Sequence, residues 1–152
     1  MAFWLFKSEP NTWGWDHQIA RGPKGEHWDG VRNFLANKQM KMMQLGDRGF
    51  FYHSVNEKRI MGTVEIIRTH YPDHTDESGR FGMVDIQALE TAAHFVTLAE
   101  VKAEPKLEDM VLVNNSRLSV QPVTAREWKL VCKMAGLDAE RTKDNVAQNA
   151  KP

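Results

Sequence analysis

The stretch GFFYHSVNEKRIMGTVEIIR, residues 49–68, decides the fold class. Its two halves are rich in aromatic and β-branched residues, and Val55-Asn56-Glu57-Lys58 breaks them apart. That pattern predicts a β-hairpin, hence a sheet with antiparallel neighbours. In the first half, Phe50, Tyr52 and Ser54 share one face while Phe51 and His53 share the other, because side chains alternate along a strand. Ser54 and His53 therefore cannot form a nucleophile–base pair. Tyr52 and Ser54 can line a pocket; the competing reading is an interior packed with Phe and Tyr.

On the N-terminal side, AFWLFK (residues 2–7) reads as a short buried strand closed by Ser8-Glu9-Pro10, since proline cannot continue a ladder. Asn11 is placed to cap a helix over about residues 12–20, stopped by Gly22-Pro23. Ala36, Met40 and Met43 fall at helical spacing, predicting a helix from about Asn33 to Leu45 with Gly46 beyond it. On the C-terminal side, residues 69–82 read as a polar loop. Residues 83–89 alternate as a strand that extends to about Val96. Thr97 and Glu100 have capping-box spacing, as do Thr124 and Glu127. Behind Thr124, the residues Trp128, Val131, Cys132 and Ala135 make one apolar stripe ended by Gly136. RLSVQP (117–122) is strand-like. After Leu137 the chain turns polar, and residues 138–152 are expected to be a disordered tail beside a single domain over 1–137. Strands without regular crossover helices argue against a doubly wound sheet. The expected class is α+β: a compact, largely antiparallel sheet or small β-barrel flanked by short helices.

Lys+Arg and Asp+Glu both number 20, so the formal net charge is zero. A protein that grips duplex nucleic acid mainly through phosphates would carry a basic surplus. Recognition of one extruded base needs none. The single cysteine, Cys132, excludes an intramolecular disulfide framework and a cysteine-rich zinc site. The N-terminus lacks the basic region of a signal peptide, and no apolar run approaches the roughly 20 residues that span a bilayer. The expectation is a cytoplasmic protein with no membrane association.

Two segments concentrate chemistry. Lys7-Ser8-Glu9-Pro10 ends the first strand with a cation, a hydroxyl and a carboxylate: either a solvated strand exit or a set of donors to a ligand. Trp28-Asp29-Gly30-Val31-Arg32-Asn33 puts an aromatic face beside an acid, a donor fork and an amide. Base recognition outside a duplex asks for such a set, stacking plus hydrogen bonds to the base edge. The alternative is that Trp28 is core, Gly30 a turn, and Asp29 and Arg32 a surface pair. His70, Asp73, His74 and Asp76 resemble metal ligands, but their loop lacks the helical spacing of a zinc motif, and no metal is expected. Arg117 reads as a phosphate or carboxylate contact, or equally as an exposed charge. Of the five tryptophans, Trp4 and Trp128 sit on buried patterns, leaving Trp13, Trp15 and Trp28 free for function.

Taken in order, FWLFKSEP, WDGVRN, GDRGFFYHS, the YPD loop, MVDIQ, MVLVNNSRLSVQP and the closing EW helix resemble the EVE domain family. The resemblance runs from residue 3 to about 137. It implies a PUA-like fold, a curved mixed sheet closing on itself with flanking helices, related to YTH and ASCH domains. It implies a non-enzymatic reader that takes a modified base of DNA or RNA, such as methylcytosine or methyladenine, into an aromatic-walled pocket; a monomer without cofactor is expected. Under that resemblance Lys7 and Ser8 match strand-end positions that hydrogen-bond the base, Trp28 the cage tryptophan, and Asn33 a polar contact to the base edge. Tyr52, His53 and Ser54 lie on the adjoining strand, and Tyr71 or Phe81 are candidates for a second cage aromatic. Asp29 and Arg32 stay open between pocket support and surface pairing. The rival reading is a small-molecule enzyme or hydrolase using Ser, His and Asp groups; a third is a protein-interaction module without a pocket.

Overall fold

A computed structural model describes residues 1–144. Six strands form one mixed sheet: β1 (Phe3–Ser8), β2 (Glu26–His27), β3 (Arg48–His53), β4 (Arg59–Pro72), β5 (Gly82–Thr91) and β6 (Val120–Val123). Their spatial order is β2-β5-β4-β3-β1-β6. The hairpin forms as expected, with β3 antiparallel to β4. The next neighbour is different: β1 runs parallel to β3, pairing Lys7 with Tyr52 and Ser8 with His53. Register shifts between Phe51 and Tyr52 and at three places along β4 and β5 add local twist and bend the sheet.

The sheet is curved but open, not a closed barrel. Its edge strand β2 pairs only two residues, against Ile86 and Asp85 of β5. The Trp28 amide still donates to the Val84 carbonyl at 2.7 Å before the chain leaves the ladder, and β2 and β6 are the two unpaired ends of the strand order.

Both faces are covered, which explains why every residue of β3 is buried. On one face, Trp4, Phe6, Phe51 and Ile86 pack with Trp15 of α1 (Trp15–Ala20) and Met40 of α2 (Phe34–Met42). On the other, Leu5, Phe50 and Tyr52 pack with Val101 of α3 (Leu98–Ala103), Leu112 of α4 (Val111–Asn114), and Trp128 and Val131 of α5 (Ala125–Ala135). Both capping boxes form: Thr97 accepts from the Glu100 amide, and Thr124 from the Glu127 amide. Gly136, at φ 67°, closes α5 in the left-handed conformation. Among the described residues no helix is long and apolar enough to cross a membrane.

Several boundaries differ from the sequence reading. Helix α1 starts at Trp15 under Gly14, not under Asn11, because the Thr12 and Trp13 amides turn back to the Glu9 carbonyl. Trp15 is core: it is 2% exposed, and a Cβ on Gly62 would collide with its ring. Helix α2 ends at Met42, since buried Asp47 captures the Gln44 amide at 3.0 Å and the Trp4 indole at 3.1 Å. Strand β4 continues to Pro72, where Tyr71 pairs with Met83 and Pro72 with Gly82. Strand β5 stops at Thr91. Of RLSVQP only Val120-Gln121-Pro122 joins the sheet, continuing to Val123. The described part of the polar tail is tied down: the Arg48 guanidinium donates to the Ala139 and Arg141 carbonyls, and the Trp128 indole donates to the Ala139 carbonyl. The rest of the expected tail lies outside the described residues.

Candidate functional site

The two chemistry-rich segments meet in space. Lys7, Ser8 and Glu9 at the end of β1, and Glu26 through Arg32 at and after β2, line one cavity of about 470 Å³ together with Thr12, Trp13 and Ser119. That volume is in the usual range for a small-ligand site. The sheet order places β1 and β2 four strands apart. What joins them is the Trp28–Asn33 segment, which folds back over the sheet face. The Trp28 indole packs edge-on against Phe6 at 5.3 Å between ring centroids and against Phe51 at 5.7 Å. Trp28 is thereby both a core residue (8% exposed) and a wall of the cavity. The two readings of that tryptophan are not exclusive.

A buried carboxylate holds the segment in place. Asp73 Oδ2 accepts from the Gly30 amide at 2.8 Å and from Arg32 Nη1 at 3.1 Å, and its Oδ1 accepts from the Thr75 amide and hydroxyl at 2.7 and 2.6 Å. Burial alone would raise the Asp73 pKa, but these donors more than offset it and bring it down to about 2. Gly30 sits at φ 80°, a region that a β-carbon disfavours, so its amide can turn toward Asp73. Arg32 is thus a supporting residue, pairing with Asp73 across the cavity rim and lying 5.7 Å from the Phe81 ring. Asp29 pairs loosely with His27, Oδ2 to Nε2 being 3.7 Å.

At the strand end, Ser8 donates its hydroxyl to the Trp13 carbonyl, leaving its lone pairs as acceptors. Lys7 Nζ donates to the Ser116 carbonyl at 2.7 Å, and partial burial lowers its pKa. Trp13 is the second indole of the cavity, a residue that neither strand nor helix periodicity marked beyond its being free. Its Nε1 donates to Gln18 at 3.0 Å and its ring stacks on His17 at 5.2 Å. The sequence candidates Tyr71 and Phe81 lie elsewhere. Tyr71 donates to Asp85 with Arg68 over its ring, and Phe81 packs on Phe34.

The remaining candidates do not line the cavity. Asn33 Oδ1 caps α2, accepting from the Ala36 amide at 2.9 Å. Tyr52 points to the opposite face, where burial pushes its hydroxyl up to about 12. Ser54 borders a separate recess beside Glu9 and Asn56. Arg117 is exposed on the segment after α4. His53 is buried with both ring nitrogens engaged: Nε2 accepts from the Trp15 amide at 2.9 Å, and Nδ1 lies 2.8 Å from Glu57. That pairing leaves His53 no free nitrogen to act as a base toward Ser54.

Comparison with known proteins places this architecture. Residues 2–134 match the EVE domain. A protein from Rhodopseudomonas palustris, solved by NMR, is 60% identical, with a TM-score of 0.85 over 90% of this chain and 94% of that one. The human THYN1 protein, solved in complex with DNA containing 5-methylcytosine, is 32% identical, with a TM-score of 0.82 over 91% of this chain and 99% of that one. A YTH domain from Zygosaccharomyces rouxii shares the fold alone, at 21% identity and a TM-score of 0.54 over 90% of this chain and 85% of that one. With the match spanning nearly all of the folded chain and both chemistry-rich segments, the protein belongs to the EVE domain family.

Proposed function

We propose that the cavity binds a single modified nucleobase of DNA or RNA, extruded from its helix, and that the protein acts as a reader rather than an enzyme. One observation carries this reading: the strand-end groups of Lys7 and Ser8 open onto the same cavity as two indoles, Trp28 and Trp13. Indoles supply stacking surface for any planar base, while the Ser8 hydroxyl oxygen can accept from its edge. The bound DNA of the THYN1 relative supports the same class of ligand. A chain of zero net charge suits recognition of one base better than tracking of a phosphate backbone.

The decisive test is a fluorescence titration of oligonucleotides carrying methylcytosine or methyladenine against unmodified controls. Stacking is worth about 1–3 kcal/mol per base, so Trp28→Ala should weaken binding roughly 5- to 150-fold. Equal affinity for modified and unmodified strands, or an unchanged affinity in the variant, would overturn the reading.

A further inference from the structure

Beside the cavity, three side chains from two distant segments converge. The geometry points to a binding site for a divalent late first-row transition cation, such as Zn²⁺, Ni²⁺ or Co²⁺, formed by His27, Asp29 and His74. One donor atom from each lies within 4.8 Å of the others. His27 Nε2 is 3.7 Å from Asp29 Oδ2, and the two imidazole rings stand 5.0 Å apart and nearly perpendicular. A tetrahedral zinc ion with bonds of about 2.0–2.1 Å needs donors roughly 3.4 Å apart. The His27–Asp29 pair is already close to that spacing, and the exposed His74 side chain closes the remainder by torsion.

Two further features distinguish this cluster from a chance meeting of exposed groups. The first is the environment of His27. Its Nδ1 faces Glu26 Oε1 at 3.2 Å, the carboxylate–imidazole pairing that fixes the tautomer and presents Nε2 as the metal ligand. The second is the framework. His27 pairs with Asp85 in the sheet. Asp29 directly precedes Gly30, whose amide donates to Asp73. His74 lies between Asp73 and Thr75, which hydrogen-bond one another. The buried Asp73 carboxylate thus ties the backbone carrying Asp29 to the backbone carrying His74.

The donor set selects the cation. Two imidazoles with one carboxylate suit zinc, nickel, cobalt or copper, whereas magnesium and calcium prefer oxygen ligands alone. Three protein ligands leave a coordination position for water or an anionic oxygen. His27 and Asp29 also line the cavity, whose lining residues carry carboxylates on Glu9, Glu26 and Asp29 against cations on Lys7 and Arg32. A dication there offsets that negative charge where a polyanionic ligand would approach.

The test uses the untagged full-length protein at about pH 7.5 without nucleic acid, so its outcome is independent of the nucleobase reading. Calorimetric titration with Zn²⁺ should give one site per chain, and Co²⁺ should give visible absorption of a low-symmetry site. His74→Ala and His27→Gln should each weaken binding by at least tenfold, and Glu26→Gln by roughly 10- to 100-fold. His94→Ala, which removes an exposed imidazole paired with Glu100, should leave binding unchanged. A wild-type protein that takes up no stoichiometric cation, or His74→Ala and His27→Gln variants that hold it as tightly, would overturn the proposal.

Discussion

At the scale of single residues, three tryptophans close together in the sequence or along one sheet face have separate fates. Trp15 is sealed in the core, its indole donating to Thr91 at 2.9 Å. Trp13 is half-buried with its ring at the cavity, and Trp28 belongs to both environments. These placements predict opposite phenotypes. Trp15→Ala should cost about 3–5 kcal/mol of stability in urea unfolding, as large-to-small core changes do. Trp13→Ala should cost far less stability and weaken nucleobase binding roughly 5- to 150-fold, by the same stacking contribution as Trp28. The pair of measurements, unfolding and titration, separates a core role from a contact role for each indole. His53 illustrates the reverse case. Its chemistry invites a catalytic assignment, yet its two nitrogens serve the Trp15 amide and Glu57. The strand alternation of residues 49–54 already divided it from Ser54; the hydrogen bonds complete the exclusion.

At the scale of elements, the important joint is between the Trp28–Asn33 segment and the loop after β4. Asp73, with its side chain fully buried, makes that joint. Its pKa is depressed from 3.8 to about 2, so its contribution is fully present above about pH 4. It is lost as pH falls toward 2 and the folded carboxylate takes up a proton. Asp73→Asn should therefore destabilise the protein by about 1–3 kcal/mol at pH 5, through the loss of acceptors for buried donors. The gap from wild type should narrow on acidification toward pH 2, measurable by urea unfolding at each pH. The helix caps were legible without any such context. Thr124 and Glu127 satisfy each other's amides within four residues, so spacing alone reveals them. Thr124→Ala should cost about 1 kcal/mol of stability by the same measurement. Asn11 failed as a cap because the Glu9 carbonyl and the Ser8 hydroxyl organise that turn instead.

At the scale of the whole molecule, residues 138–144 act as a strap across β3, β4, β5 and α5. The Lys143 amide donates to Glu65 at 2.9 Å, the Asp138 amide to Glu90 at 2.8 Å, and the buried Arg48 guanidinium donates into the strap's carbonyls. Removing residues 138–152 leaves Arg48 without those acceptors. Thermal unfolding should then show a loss of about 1–3 kcal/mol relative to the full chain. Nucleobase affinity should hold, since none of the described residues 138–144 lines the cavity.

What the sequence determined by itself is the local part of this protein. The hairpin of residues 49–68, the inward and outward faces of its strands, the capping boxes and the apolar stripe of α5 all follow from neighbours within a few residues. The strand pattern also pointed to the α+β class, and the family resemblance added Lys7, Ser8 and Trp28 at one site; all three line the cavity. Tertiary structure alone decided the rest: the parallel pairing of β1 with β3, the open sheet, Trp13 as the second indole, and Asp73 as the clasp between two segments some forty residues apart. The physical reason is range. Caps, turns and strand faces are set by torsions and hydrogen bonds inside one segment, whereas a cavity wall or a buried carboxylate's donors depend on which distant segments the closed core brings into contact.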